Sequence, residues 1–66
     1  MLLAFDVGNT NIVLGVFCGA ELRNSWRITS VKFRTADEYA IVIRSLFQFG
    51  GIALGDIDAT VISCVV

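Results

Sequence analysis

One short stretch carries the residue types that could do chemistry: Asp6, Val7, Gly8, Asn9, Thr10 and Asn11, near the start of a 66-residue chain. Asp6 supplies a carboxylate oxygen, the donor type that holds Mg²⁺ while the ion keeps several waters. Asn9, Thr10 and Asn11 supply amide and hydroxyl groups, and the N–H groups of a tight turn can converge on an anion. Gly8 is free to take backbone angles closed to other residues, and it lets a ligand come close to the main chain. These are the parts of a phosphate-and-metal cradle running from Gly8 through Ile12 and Val13, with Asp6 facing the metal. The competing reading is an Asx-type turn, in which Asp6 and Asn9 bond only local backbone.

The elements that must position this stretch follow from the flanking pattern. Leu2-Leu3-Ala4-Phe5 is a continuous apolar run ending at Asp6, which predicts a strand covered on both faces. Asn11 to Phe17 predicts a second strand, in which Gly15 marks either a bulge or a place where something packs close. Cys18-Gly19-Ala20 supplies a turn. From Glu21 to Ile28 the pattern alternates, with Leu22, Asn24, Trp26 and Ile28 on one side and Arg23, Ser25 and Arg27 on the other. That predicts a half-exposed strand at a sheet edge and an opening three-stranded antiparallel meander.

After a polar, basic loop from Thr29 to Arg34, Thr35-Ala36-Asp37-Glu38 has capping-box spacing. Asp37 and Glu38 also suit the positive end of a helix dipole. The helix predicted from there ends at Gly50-Gly51 and carries a stripe of Tyr39, Val42, Ile43, Leu46 and Phe47. Ile41-Val42-Ile43 alone would also suit a strand; the cap and the terminal glycines decide for helix. Ile41 and Phe49 are apolar as well, which predicts cover on more than one side of that helix. The phenylalanines and Trp26 read as core. Asp56 and Asp58 lie in the loop feeding a last strand, Ala59 to Val66, and read as loop carboxylates, with a metal pair as the alternative. A helix between two strands implies a crossover and parallel pairing. With the two continuously apolar strands placed in the middle of the sheet and the alternating one at its edge, the predicted fold is α/β, a mixed sheet in the order 3-2-1-4 with one crossover helix.

Composition narrows the function classes. The hydrophobic share is 56%; with Tyr39 left out and the six glycines counted it is roughly 64%, above the usual share of about 45–50% for that residue set. A unit this small buries little surface, so residues 1–66 read as the N-terminal part of a larger domain; a small domain buried in an oligomer is the alternative. A formal net charge of −1 leaves no footprint for nucleic acid or an acidic membrane. The longest charge-free stretch, Val7 to Ala20, holds two Asn and a Thr and is too short to span a bilayer. No basic residue precedes Arg23, and Asp6 interrupts the opening, which argues against a signal peptide. Cys18 and Cys64, in apolar settings and without any His, read as reduced core thiols of a cytoplasmic protein, ahead of a disulfide or a metal site. Neither Gly-x-x-x-x-Gly-Lys-Ser/Thr nor Gly-x-Gly-x-x-Gly occurs. Lys32 and Arg34 could approach a ligand, but a solvated loop or a dimer surface is the plainer reading.

Asp6-Val7-Gly8-Asn9-Thr10-Asn11 resembles the first phosphate motif of the actin-like, sugar-kinase-like, Hsp70-like ATPase superfamily, and its Gly-Asn-Thr-Asn form resembles type III pantothenate kinases. Trp26-Arg27, Arg34 to Tyr39, Asp56-Ile57-Asp58 and Val61 to Val66 are similar to family segments in family order; Cys64 stands where many relatives carry a serine. The resemblance implies the N-terminal part of the first actin-like ATPase domain, of RNase H-like type. It implies ATP-dependent phosphorylation of pantothenate, the first step of coenzyme A synthesis. In that reading Asp6, Val7, Gly8, Asn9, Thr10, Asn11, Ile12 and Val13 bind ATP, and Asp6 serves Mg²⁺. The general base, the pantothenate contacts and a monovalent-cation site for K⁺ or NH₄⁺ are expected beyond Val66, leaving this segment inactive by itself. A cytoplasmic homodimer is implied, with no nucleic-acid or membrane partner. The rival readings are another phosphotransferase of the superfamily, such as a sugar kinase or exopolyphosphatase relative, and a non-enzymatic regulatory accessory protein on the same fold.

Overall fold

A computed structural model describes residues 1–64. Three antiparallel strands come first: β1 (Leu2–Val7), β2 (Asn11–Cys18) and β3 (Glu21–Thr29). Helix α1 (Ala36–Gly50) follows, then a short 3₁₀ turn (Leu54–Asp56) and strand β4 (Ala59–Cys64). The sheet order is β3-β2-β1-β4, with β4 parallel to β1, as the sequence pattern requires. The last two residues of the predicted final strand, 65 and 66, lie outside the described residues.

Local chemistry accounts for the bounds of α1. The Glu38 amide donates to Thr35 Oγ1 at 3.2 Å, and the Thr35 amide donates to Glu38 Oε1 at 2.9 Å, the reciprocal pair of a capping box. At the other end Gly51 has φ 72°, and the Gly51 and Ile52 amides donate back to Gln48 and Phe47. That is a Schellman closure, which a side chain at Gly51 would strain.

The core lies between α1 and one face of the sheet. Leu3, Ile12, Leu14, Val16 and Phe47 are buried, and Phe47 stacks on Trp26 with ring centroids 5.5 Å apart. A Cβ on Gly50 would stand 2.7 Å from Asn24 Nδ2 and 2.8 Å from Trp26 Cζ2, so the last helical residue is small because the helix end presses on β3.

Five expectations need correction. The pairing of β2 with β3 shifts between Val16 and Phe17: Val16 faces Asn24 but Phe17 faces Leu22, leaving Arg23 as an extra residue. This bulge turns Leu22 away from the face of Asn24, Trp26 and Ile28. Leu22 instead covers Gly15, where a Cβ would lie 3.3 Å from both Leu22 Cδ1 and Phe17 Cε2. Gly15 therefore marks close packing, and the bulge sits on the neighbouring strand. Secondly, α1 covers one face of β1 only; the other face, with Ala4, Asp6, Val13, Phe17 and Val61, forms a groove of about 410 Å³. Thirdly, β4 is an edge strand of the described sheet and is exposed throughout, although its apolar run suits the middle. Fourthly, Phe33 and Phe49 are 86% and 91% exposed and Ile41 is exposed, so they are not core and α1 is covered on one side alone among the described residues. Lastly, Cys18 and Cys64 are free thiols, as expected, but exposed ones. Each of these five is a matter of which side a residue faces, and apolar character fixes only the demand for cover.

Candidate functional site

The turn between β1 and β2 is built from two sides. Val7 and Ile12 are the last register pair of β1 and β2, and the Gly8 amide donates to the Asn11 carbonyl at 2.9 Å. Gly8 does not use the left-handed region, which only Gly19 and Gly51 occupy among the described residues. Its lack of a side chain matters for proximity instead, since a Cβ there would lie 3.2 Å from the Asn11 carbonyl oxygen. The second support comes from the end of β3. Ser30 Oγ donates to the Gly8 carbonyl at 3.1 Å and the Ser30 amide donates to the Thr10 carbonyl at 2.9 Å. Asn11 Nδ2 donates to Thr10 Oγ1 at 3.1 Å. Asn9, Thr10 and Asn11 are exposed, and among the described residues no acceptor takes the Asn9 or Thr10 amide.

Asp6 is the next-to-last residue of β1, on the face away from α1, beside Val13 on one neighbouring strand and Ser63 on the other. It is exposed, and among the described residues neither its carboxylate nor the Asn9 side chain bonds the local backbone. The Asx-turn reading is therefore not the one adopted. The predicted residues divide between two clefts. Val7, Gly8, Asn9 and Ile12 line a cleft of about 570 Å³ together with Ser30, Val31, Lys32 and Tyr39. Asp6 and Val13 line the groove on the opposite face. Thr10 and Asn11 line neither of these two clefts.

Ser30 and Tyr39 are the residues that sequence reasoning passed over. Ser30 read as loop and Tyr39 as part of an apolar stripe. Ser30, just past β3, stands beside the turn because Asn11 pairs with Thr29, a register that depends on the β3 bulge and that the sequence does not mark. Tyr39 Oη accepts the Val31 amide at 3.1 Å and donates to the Val31 carbonyl at 3.3 Å, which no linear pattern announces.

The remaining charged groups have local roles. Lys32 lines the cleft with its Nζ 5.8 Å from the Phe33 ring centroid, and the Arg34 guanidinium lies over the Tyr39 ring at 5.1 Å. The hydrogen bond from the Thr35 backbone amide holds the Glu38 carboxyl below its ordinary value, with the Thr35 side chain and Arg34 assisting. Asp58 receives the Met1 ammonium at 2.8 Å and its amide donates to the Met1 carbonyl, fastening the start of β4 to the start of β1. Among the described residues no cluster of three or more His, Cys, Asp or Glu could hold a metal, and no helix is long and apolar enough to cross a membrane. A donor set of one carboxylate fits Mg²⁺, which commonly binds one or two carboxylates together with waters and substrate phosphates.

Comparison with known proteins adds a family to this geometry. A family model described as type III pantothenate kinase matches residues 2–66. Proteins named type III pantothenate kinase from Moorella thermoacetica, Geobacter sulfurreducens and Pelobacter propionicus are 52%, 53% and 50% identical over all 66 residues. The chain spans about a quarter of the length of these relatives, 26% in each. With a match that takes in every element from β1 to β4, the chain belongs to the type III pantothenate kinase family.

Proposed function

We propose that the full-length protein transfers the γ-phosphoryl group of ATP to the primary hydroxyl of pantothenate, opening coenzyme A synthesis, and that this segment supplies the phosphate-binding turn. The observation that carries the reading is the turn itself: exposed Asn9, Thr10 and Asn11 beside an exposed Asp6 whose carboxylate no described group engages. Family membership supports it and favours pantothenate over the acceptors of sugar kinase or exopolyphosphatase relatives.

In phosphoryl transfer a protein chiefly positions donor and acceptor and stabilises charge. The backbone and side chains of Gly8, Asn9, Thr10 and Asn11 hold phosphate oxygens, with Val7, Ile12 and Val13 anchoring the turn to the sheet. Asp6 is the residue that would hold Mg²⁺ or orient its waters. The ion, when bound, neutralises charge on the transferring group. No residue of this chain is assigned as general base, and an aspartate further along is the expected one. The same reading carries a cytoplasmic homodimer that uses K⁺ or NH₄⁺.

The test is ADP release by the full-length protein. ATP consumption is expected with pantothenate present and not without it. Asp6→Asn is expected to lower turnover by about 10²-fold or more, the scale of one preorganised electrostatic contact, with an unchanged melting temperature. Turnover that survives Asp6→Asn removes the metal role. Turnover with another hydroxyl acceptor and not with pantothenate assigns a different kinase activity, and none with any acceptor favours the non-enzymatic accessory reading.

A further inference from the structure

We propose that Ser30 and Tyr39 are positioning residues that set the direction of the amides in the Gly8–Asn11 turn, and so its affinity for the phosphates of ATP; the proposal rests on reading that turn as the phosphate cradle. All peptide bonds of the described chain are trans. In a trans peptide the carbonyl and the following N–H lie in one plane and point opposite ways. Ser30 Oγ holds the Gly8 carbonyl and the Ser30 amide holds the Thr10 carbonyl. Those two bonds fix the Asn9 and Asn11 amides facing away from Ser30. Without them the exposed turn keeps its Gly8–Asn11 backbone bond and the side-chain bond between Asn11 and Thr10, neither of which holds the Gly8 or Thr10 carbonyl, and those two peptide planes are free to rotate.

Ser30 is held in turn by the helix. The single hydroxyl of Tyr39 engages both polar backbone groups of Val31, the adjacent residue, at 3.1 and 3.3 Å. The Tyr39 ring is half-buried against the core, with Ile43 and Phe5 along the same apolar cleft, so it is a fixed point. The chain of contacts runs from the first turns of α1 through Val31 and Ser30 to the two turn carbonyls. Neither side chain needs to touch a reacting atom. Their effect is on preorganisation, which raises affinity by removing the cost of ordering donors as the ligand arrives.

Calorimetric binding of Mg·ATP and steady-state kinetics of the full-length protein test this. Ser30→Ala and Tyr39→Phe are each expected to weaken Mg·ATP binding about three- to tenfold, or about 0.6–1.4 kcal/mol. The KM for pantothenate and the melting temperature stay near those of the parent. Because the two residues act in series, the double variant is expected to lose no more than the weaker single variant. Ser30→Thr, which keeps the hydroxyl, restores binding. Gly8→Val places carbons against the Asn11 carbonyl and serves as a direct lesion of the turn. If it weakens Mg·ATP while Ser30→Ala and Tyr39→Phe do not, the positioning role is overturned and the cradle stands. If none of the three weakens it, both fall. A loss in Ser30→Ala that tracks a lower melting temperature, with kcat and both KM values affected together, shows a merely structural role and also overturns the proposal.

Discussion

Asp6 and Gly8 were singled out by residue type, and their surroundings refine what each does. Gly8 was expected to offer permissive backbone angles and a close approach to its main chain; it does not use the left-handed region, and the group that approaches is the Asn11 carbonyl, 3.2 Å from where a Cβ would stand. Asp6 kept its carboxylate clear of the backbone, whereas Asp58, an equally plain loop acid in the sequence, is occupied by the Met1 ammonium. Glu38 shows how a neighbour changes a residue's chemistry. Its bonds with Thr35 lower its folded-state pKa, so its stabilising contribution is present above the unfolded value and lost as pH falls through the folded one. The expected outcome is a melting-temperature gap between the parent and Glu38→Gln that is full above the ordinary carboxylate range and closes as pH falls through and below it. Thermal melts at stepped pH check it. A gap that is constant across that range assigns the effect to packing.

At the scale of elements, α1 was legible to the residue because both its ends are set by local chemistry: Thr35 and Glu38 at the start, Gly51 at the close. How α1 meets the sheet was not legible, because that depends on residues distant in sequence. Gly50 reads as one of two helix-ending glycines, but the space for its Cβ is taken by Asn24 and Trp26 of β3. Gly50→Ala gains helix propensity of up to about 1 kcal/mol and must displace those side chains, at about 1–3 kcal/mol. A net loss of stability is expected in urea denaturation of the full-length protein, and a stabilised variant would mean that the helix end stands further from β3. The β3 bulge makes the same point. One extra residue at Arg23 moves Leu22 to the face of Gly15 and Phe17, and the alternation of types along Glu21 to Ile28 contains no mark of where it falls.

At the scale of the whole molecule, a four-strand sheet and one helix leave much of the apolar surface uncovered. Phe33, Phe49, Ile41, Val61 and Ile62 are more than half exposed, and the face bearing Asp6 is open. Apolar area of this kind contributes roughly 25 cal/mol per Å² when it is removed from water. Residues 1–66 prepared alone are therefore expected to bind a hydrophobic dye and to associate with rising concentration, as read by sedimentation. A monodisperse, dye-negative monomer would contradict the exposure described. The sequence by itself determined the strand order, the helix and its caps, and the turn that gathers Asp6, Gly8, Asn9, Thr10 and Asn11, because strand period, capping and turn chemistry act over a few residues. Tertiary structure alone decided that Ser30 and Tyr39 hold that turn, that Leu22 and Trp26 face opposite ways, and that the predicted residues divide between two clefts. Those outcomes depend on register and on contacts between residues far apart in the chain, which become neighbours only when the sheet has formed.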